Sequence, residues 1–203
     1  MVNTILKILV RDDNYARILR HLLREENLPR VKFYSALGES QLASAGRNIV
    51  VMEGPPLLVI QDADTLNKTK AHEENGLTKA TIRQVAGESV VDVFSFIPSI
   101  EIIFFENQEL LEYAIGKKLP LRIEIEGELL PSRAFQRLLK EELNNISLET
   151  FLEKYMTDDI AEELREGGQL QKLITAIDQI IQRHTHFMTA QEHYALAGRE
   201  LVF

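Results

Sequence analysis

Leu57-Leu58-Val59-Ile60-Gln61-Asp62-Ala63-Asp64-Thr65 is the stretch that decides how this chain folds. Four consecutive apolar residues run into two aspartates spaced i, i+2. An apolar run of that length, preceded by Gly54-Pro55-Pro56, reads as a strand buried on both faces, which is the signature of a parallel sheet. On an extended chain, residues i and i+2 point the same way, so Asp62 and Asp64 are expected to converge as the strand leaves the sheet. Ligands of open α/β sheets bind at those carboxyl ends. Two adjacent carboxylates repel unless a cation or proton lies between them, and oxygen ligands suit magnesium, manganese or calcium.

Outward from this stretch, strand and helix signals alternate. Thr4 to Val10 reads as a first strand, and Tyr15, Ile18, Leu19, Leu22 and Leu23 recur at helical spacing. Val31 to Ala36 reads as a second strand, Leu37 to Ala45 as a short helix, and Asn48 to Met52 as a short strand or loop element. Asn67 to Gly76 reads as a polar loop or frayed helix, and Leu77 to Val85 as a helix ending at Gly87. Val90 to Ile97 is strand-like, Ser99 to Phe105 a strand or first helical turn, and Glu109 to Ile115 a helix ending at Gly116. The fold class expected is α/β, a Rossmann-like, mostly parallel sheet over residues 1–118. Residues 119–203 are expected to be a mainly helical C-terminal region. There Ile123-Glu124-Ile125-Glu126 reads as a short strand, and Ser132 and Asp158 as helix caps. Leu170, Leu173, Ile174, Ile177, Ile180 and Ile181 form the strongest amphipathic helix. Its apolar stripe is expected to be buried internally or across a homodimer. Thr189 to Leu196 reads as a weaker helix.

Composition sets limits on function. The 203 residues carry a net charge of −8, with 12 basic against 14 acidic residues over 1–106 and 11 against 17 over 107–203. No dense basic stripe is present, which argues against avid, non-specific nucleic-acid binding. No apolar run approaches ~18 residues, so no membrane span is expected. Met1-Val2-Asn3-Thr4 leads straight into a strand pattern, and no signal peptide is expected. The chain has no cysteine, which removes disulfides and thiolate chemistry and fits a cytoplasmic location.

Further acids lie at comparable positions. Asp12, Asp13 and Asn14 follow the first strand, on the sheet edge that Asp62 shares, either facing Asp62 or capping the next helix. Glu101 is a single acid in an apolar run. It needs a partner, either a metal shared with Asp62 or Asp64, or an outward-facing edge position. Lys68, Lys70 and His72 follow the acidic pair in a solvated segment. His184, His186 and His193 fit a surface helix end better than a metal site.

The order of these elements resembles the TOPRIM domain of topoisomerases, primases and overcoming-lysogenization-defect nucleases. The resemblance rests on Ile8-Leu9-Val10-Arg11-Asp12-Asp13-Asn14, Leu58-Val59-Ile60-Gln61-Asp62-Ala63-Asp64-Thr65 and Phe96-Ile97-Pro98-Ser99-Ile100-Glu101, across roughly residues 4–116. It implies a magnesium- or manganese-dependent nuclease or phosphoryl-transfer protein that meets nucleic acid through its metal. Asp62, Asp64 and Glu101 would hold the cation, with Asp12 or Asp13 as the catalytic acid or base. The position at which that family carries a glutamate holds Arg11, a departure that implies cation binding with weak or absent chemistry. A second resemblance, to receiver domains, would make Asp62 a phosphorylated aspartate. A third reading is a non-catalytic interaction protein.

Overall fold

The computed structural model describes residues 6–23, 28–86 and 90–199, with side chains for these except 29 and 185–199. Four strands, β1 (Leu6–Val10), β2 (Val31–Ser35), β3 (Leu57–Asp62) and β4 (Val91–Phe96), form one all-parallel sheet in the order β2-β1-β3-β4. Ile8 lies opposite both Phe33 and Leu58, and Ile60 opposite Phe94. The expected α/β class with a parallel sheet is observed. Parallel strands need crossovers, supplied by α1 (Asp13–Leu22), α2 (Leu42–Glu53) and α3 (Lys68–Ala86).

Every residue of β1 and β3 is buried, and their side chains alternate between two cores. Leu6, Ile8, Val10, Leu58 and Ile60 face α1 and the C-terminal helices. Leu9, Leu57 and Val59 face Leu42, Ile49 and Val50 of α2 and Ile82 of α3. The chain steps from β1 to β2 on one side and returns across β1 to β3 on the other. The carboxyl ends of β1 and β3 therefore flank the topological switch point, where α/β sheets open a crevice.

Beyond β4 follow α4 (Ile102–Phe105), α5 (Gln108–Ile115), α6 (Leu121–Leu129), α7 (Pro131–Arg137, extended by a wider turn to Glu142), α8 (Leu148–Tyr155), α9 (Asp158–Arg165) and α10 (Gly168–Arg199). Phe104, Phe135 and Phe151 bring α4, α7 and α8 together, with ring centroids 4.6, 5.0 and 5.6 Å apart. Arg165 Nε donates to the Leu22 carbonyl at 2.7 Å, tying α9 to the end of α1. The core on this face is continuous from Leu6 to Ile181, across residue 118.

Several local expectations are corrected. Residues 123–126 are helical, not a strand: Ile123 and Gly127 face inward, and a Cβ at Gly127 would overlap the Phe105 ring, so burial at i, i+4 overrides the local alternation. Asn48 to Met52 lies inside α2, and Asn67 to Gly76 is mostly in α3, where Ala71 is buried. The cap of α9 is Thr157, whose Oγ1 accepts from Ile160 N, not Asp158. Ser132 is not a cap because Pro131 already occupies the first turn. The stripe Leu170, Leu173, Ile177, Ile180 and Ile181 is buried within the chain, the internal one of its two expected placements, with Ile174 partly buried against the same core. The expected helix end at Gly87 and the segment Met1 to Ile5 lie outside the described residues. Among the described residues, no helix is long and apolar enough to cross a membrane.

Candidate functional site

The carboxyl ends of β1 and β3 meet around Asp62. Its side chain lies on the α1 face, because Ile60, two residues earlier, already points there. The residue is 4% exposed. Three donors surround its carboxylate: Arg11 Nη1 reaches Oδ2 at 2.7 Å, and Ile100 N and the Tyr15 hydroxyl donate to Oδ1. Ile100 is brought there by the turn that follows Pro98, whose carbonyl accepts from Asp64 N.

Arg11 is the hinge of the arrangement. Its Nε donates to Asp12 Oδ2 at 3.0 Å and its guanidinium lies 4.8 Å from the Tyr15 ring centroid. Asp12 caps α1, its Oδ1 accepting from Tyr15 N at 3.1 Å. Asp13, in the first turn, accepts from Ser35 Oγ of β2. The capping account, left open for Asp12 by the sequence, is the one its contacts support.

The alternation that should align Asp62 with Asp64 breaks at Asp64, which has φ +49 and is exposed while Asp62 is buried. Glu101 is half-buried and accepts from Ser99 Oγ at 2.7 Å. Burial and the charge of Glu101 push the Asp62 carboxyl up to about 7, against the pull of Arg11. Lys68, Lys70 and His72 are exposed at the start of α3, with Lys70 paired to Glu74. His184 is half-buried on α10, and the side chains of His186 and His193 lie outside the described residues.

Glu39 is a member that sequence reasoning missed. It follows β2 on the same sheet edge, which is the signal that marks it. Its Oε2 is buried without a hydrogen-bond partner, and burial pushes its carboxyl up to about 7, with Arg11 opposing and Asp64, Asp12 and Glu74 reinforcing. An unfolded glutamate titrates near 4.5, so Glu39 withdraws stability as pH rises from that value through 7. Glu39→Gln should match wild type at pH 4 and exceed it at pH 8 by about 1 kcal/mol, screening at this half-exposed position reducing the gain. Urea unfolding at the two pH values checks it; equal stability at pH 8 would refute the assignment.

These residues do not fit a divalent cation as they stand. Both Asp62 oxygens are engaged, and a guanidinium already holds the positive charge between Asp12 and Asp62. Among the described residues, no group of three or more His, Asp or Glu side chains is disposed to hold a metal ion. A cleft of about 410 Å³ opens beside the site, lined by Asp64, Leu66, Pro98 and Ser99 together with Leu130 and Arg133.

No family model and no curated protein matches the chain. Two solved structures of the C-terminal region of the Xanthomonas campestris pv. campestris OLD protein are similar to it. The one phased with iodine shares 16% identity over 96% of this chain and 100% of that one, with a TM-score of 0.42. The one phased with mercury shares 15% over 95% and 100%, with a TM-score of 0.41.

Proposed function

We propose that this chain is a TOPRIM-like domain, of the nucleic-acid phosphoryl-transfer type, that has lost metal-dependent catalysis. The observation that carries this reading is Arg11 bridging Asp12 and Asp62. A guanidinium supplies a permanent positive charge to the acid edge, where a divalent ion would have to be bound and could polarise a phosphate or orient a water. The domain then acts by binding. A receiver-like role for Asp62 is disfavoured by the same contacts, since a phosphoryl donor meets a buried carboxylate with both oxygens engaged.

A second reading retains the metal. The Arg11 side chain is 29% exposed, and Asp64 and Glu101 are near enough to act on the charge of Asp62. If Arg11 swings into solvent, Asp62, Asp64 and Glu101 remain to receive magnesium or manganese, with Asp12 or Asp13 as the acid or base of a nuclease.

Thermal unfolding with and without Mn²⁺, beside cleavage assays on single- and double-stranded DNA, separates the two. The first reading expects no cation-dependent shift and no cleavage in wild type. It expects a Mn²⁺-dependent rise of several degrees in Arg11→Glu, which supplies the missing acid. A shift in wild type that Asp62→Ala with Asp64→Ala abolishes would establish the second reading instead.

A further inference from the structure

Helix α6 is apolar on opposite faces. Ile123 and Gly127 point inward, where Gly127 lies against the Phe105 ring. On the far side Leu121, Ile125 and Leu129 recur at i, i+4, i+8 and are 68%, 52% and 52% exposed. Leu130 continues the stripe at 53%. Leu129 and Leu130 also line the cleft beside the candidate site, together with Leu66, which is 52% exposed. An exposed apolar stripe on a helix already packed on its other face marks an interaction surface. The stripe of α10 from Leu170 to Ile181 is already buried internally, whereas among the described residues α6 carries an apolar stripe that stays uncovered.

We propose that this face of α6 pairs with α6 of a second copy of the chain, antiparallel about a two-fold axis at Ile125. The stripe is symmetric about that residue: Leu121 and Leu129 lie four positions to either side. A two-fold axis through Ile125 therefore sets each Leu121 against the partner copy's Leu129, the self-complementarity that an isologous interface requires. Arg122 lies towards the amino end of the helix and Glu128 towards its carboxyl end, both exposed, so antiparallel packing brings these two unlike charges to the same end of the pair and opposes the two helix dipoles; of the other acids of α6, Glu126 is already paired with Arg133 and Arg137 of its own copy. A parallel pairing would align like ends.

Full cover of the exposed surface of Leu66, Leu121, Ile125, Leu129 and Leu130, on the order of 500 Å² per copy, would bury about 1,000 Å² in all, the lower bound of a specific interface. A contiguous apolar patch of this size is at the upper end of what monomers carry. The interface would reach the mouth of the cleft beside Asp64 and Ser99, so the second copy would wall the candidate site on that side. The pairing stands whichever reading of the Arg11 site holds.

Light scattering on the eluting full chain should give twice 23.2 kDa at about 100 μM. Ile125→Glu places two like charges on the axis and should leave a monomer with unchanged far-UV circular dichroism, since the residue is 52% exposed and borders only the shallow groove towards Leu130 and Arg137. Register is read separately. The chain lacks cysteine, so Ile125→Cys under mild oxidation should yield a covalent dimer, as directly facing Cα atoms on close-packed helices come within disulfide reach. Leu121→Cys and the exposed Leu37→Cys should not. A monomeric wild type, a dimer that survives Ile125→Glu, or Leu121→Cys crosslinking as well as Ile125→Cys would each overturn the proposal; in the first case the occupant of α6 would be another protein.

Discussion

Arg11→Ala is expected to lower the unfolding free energy by about 3 kcal/mol, one of the two largest single-site effects in this molecule. The reason is the state in which it leaves Asp62. That carboxylate is 4% exposed, and its Oδ2 is held by Arg11 alone among the contacts described. At pH 8, above the value of about 7 to which burial already pushes it, removing the guanidinium leaves that carboxyl either charged beside Glu101 with only two neutral donors, Tyr15 and Ile100 N, or forced to take up a proton. In a chain of 203 residues such a loss should lower the thermal midpoint by roughly 6–12 °C. Asp62→Asn on its own removes the charge, not the packing, so the Arg11→Ala, Asp62→Asn pair should lose less than Arg11→Ala does. A double-mutant cycle by urea unfolding at pH 8 measures the coupling. Additive losses would mean that the two residues do not act on one another.

Phe151→Ala is expected to cost about 3–5 kcal/mol, as deletion of a fully buried ring does. Phe151 is 0% exposed and contacts Phe104, Phe135 and Tyr155. These rings join helices that follow residue 118 to α4, which precedes it, and the same cluster continues to Ile8 and Ile60 of the sheet. The loss should therefore appear in the whole molecule. Wild type and variant should each unfold in one transition, with far-UV circular dichroism and tyrosine fluorescence coinciding, since Tyr15 reports on the sheet edge and Tyr155 on α8. Two separated transitions would show that residues 1–118 and 119–203 fold as independent units.

Much of the fold was legible because the physics behind it is local. Leu57 to Ile60 is apolar at every position, a pattern that only a strand covered on both sides can use, and β1 repeats it. Proline and glycine at 54–56 and glycine at 116 marked true boundaries. Where the reading failed, a distant contact had decided. Ile123 to Glu126 alternates like a strand, yet Gly127 allows a close approach to Phe105 that only a helix exploits. Asn67 to Gly76 is polar, yet Ala71 is buried and, further along, Ile82 joins Leu57, Val59 and Val91 in the core, which seats a long helix on β3 and β4.

The candidate site divides in the same way. Its position at the carboxyl edge, and the acids Asp12, Asp62, Asp64 and Glu101 that surround it, are matters of strand direction and spacing. Which of them act together is not. Asp64 leaves the register at φ +49, and Glu39 arrives from a different strand end.

The sequence by itself determined the parallel sheet, its acidic edge and the arginine at the first strand's end. Apolar runs, turn residues and charge have meaning at short range. Only the tertiary structure decided what Arg11 does there. The strand order places β1 beside β3, and that adjacency carries the guanidinium to Asp62 across 51 positions of chain. The same packing turned one face of α6 inward and left Leu121, Ile125 and Leu129 outside, because a helix buries whichever side its neighbours can accept.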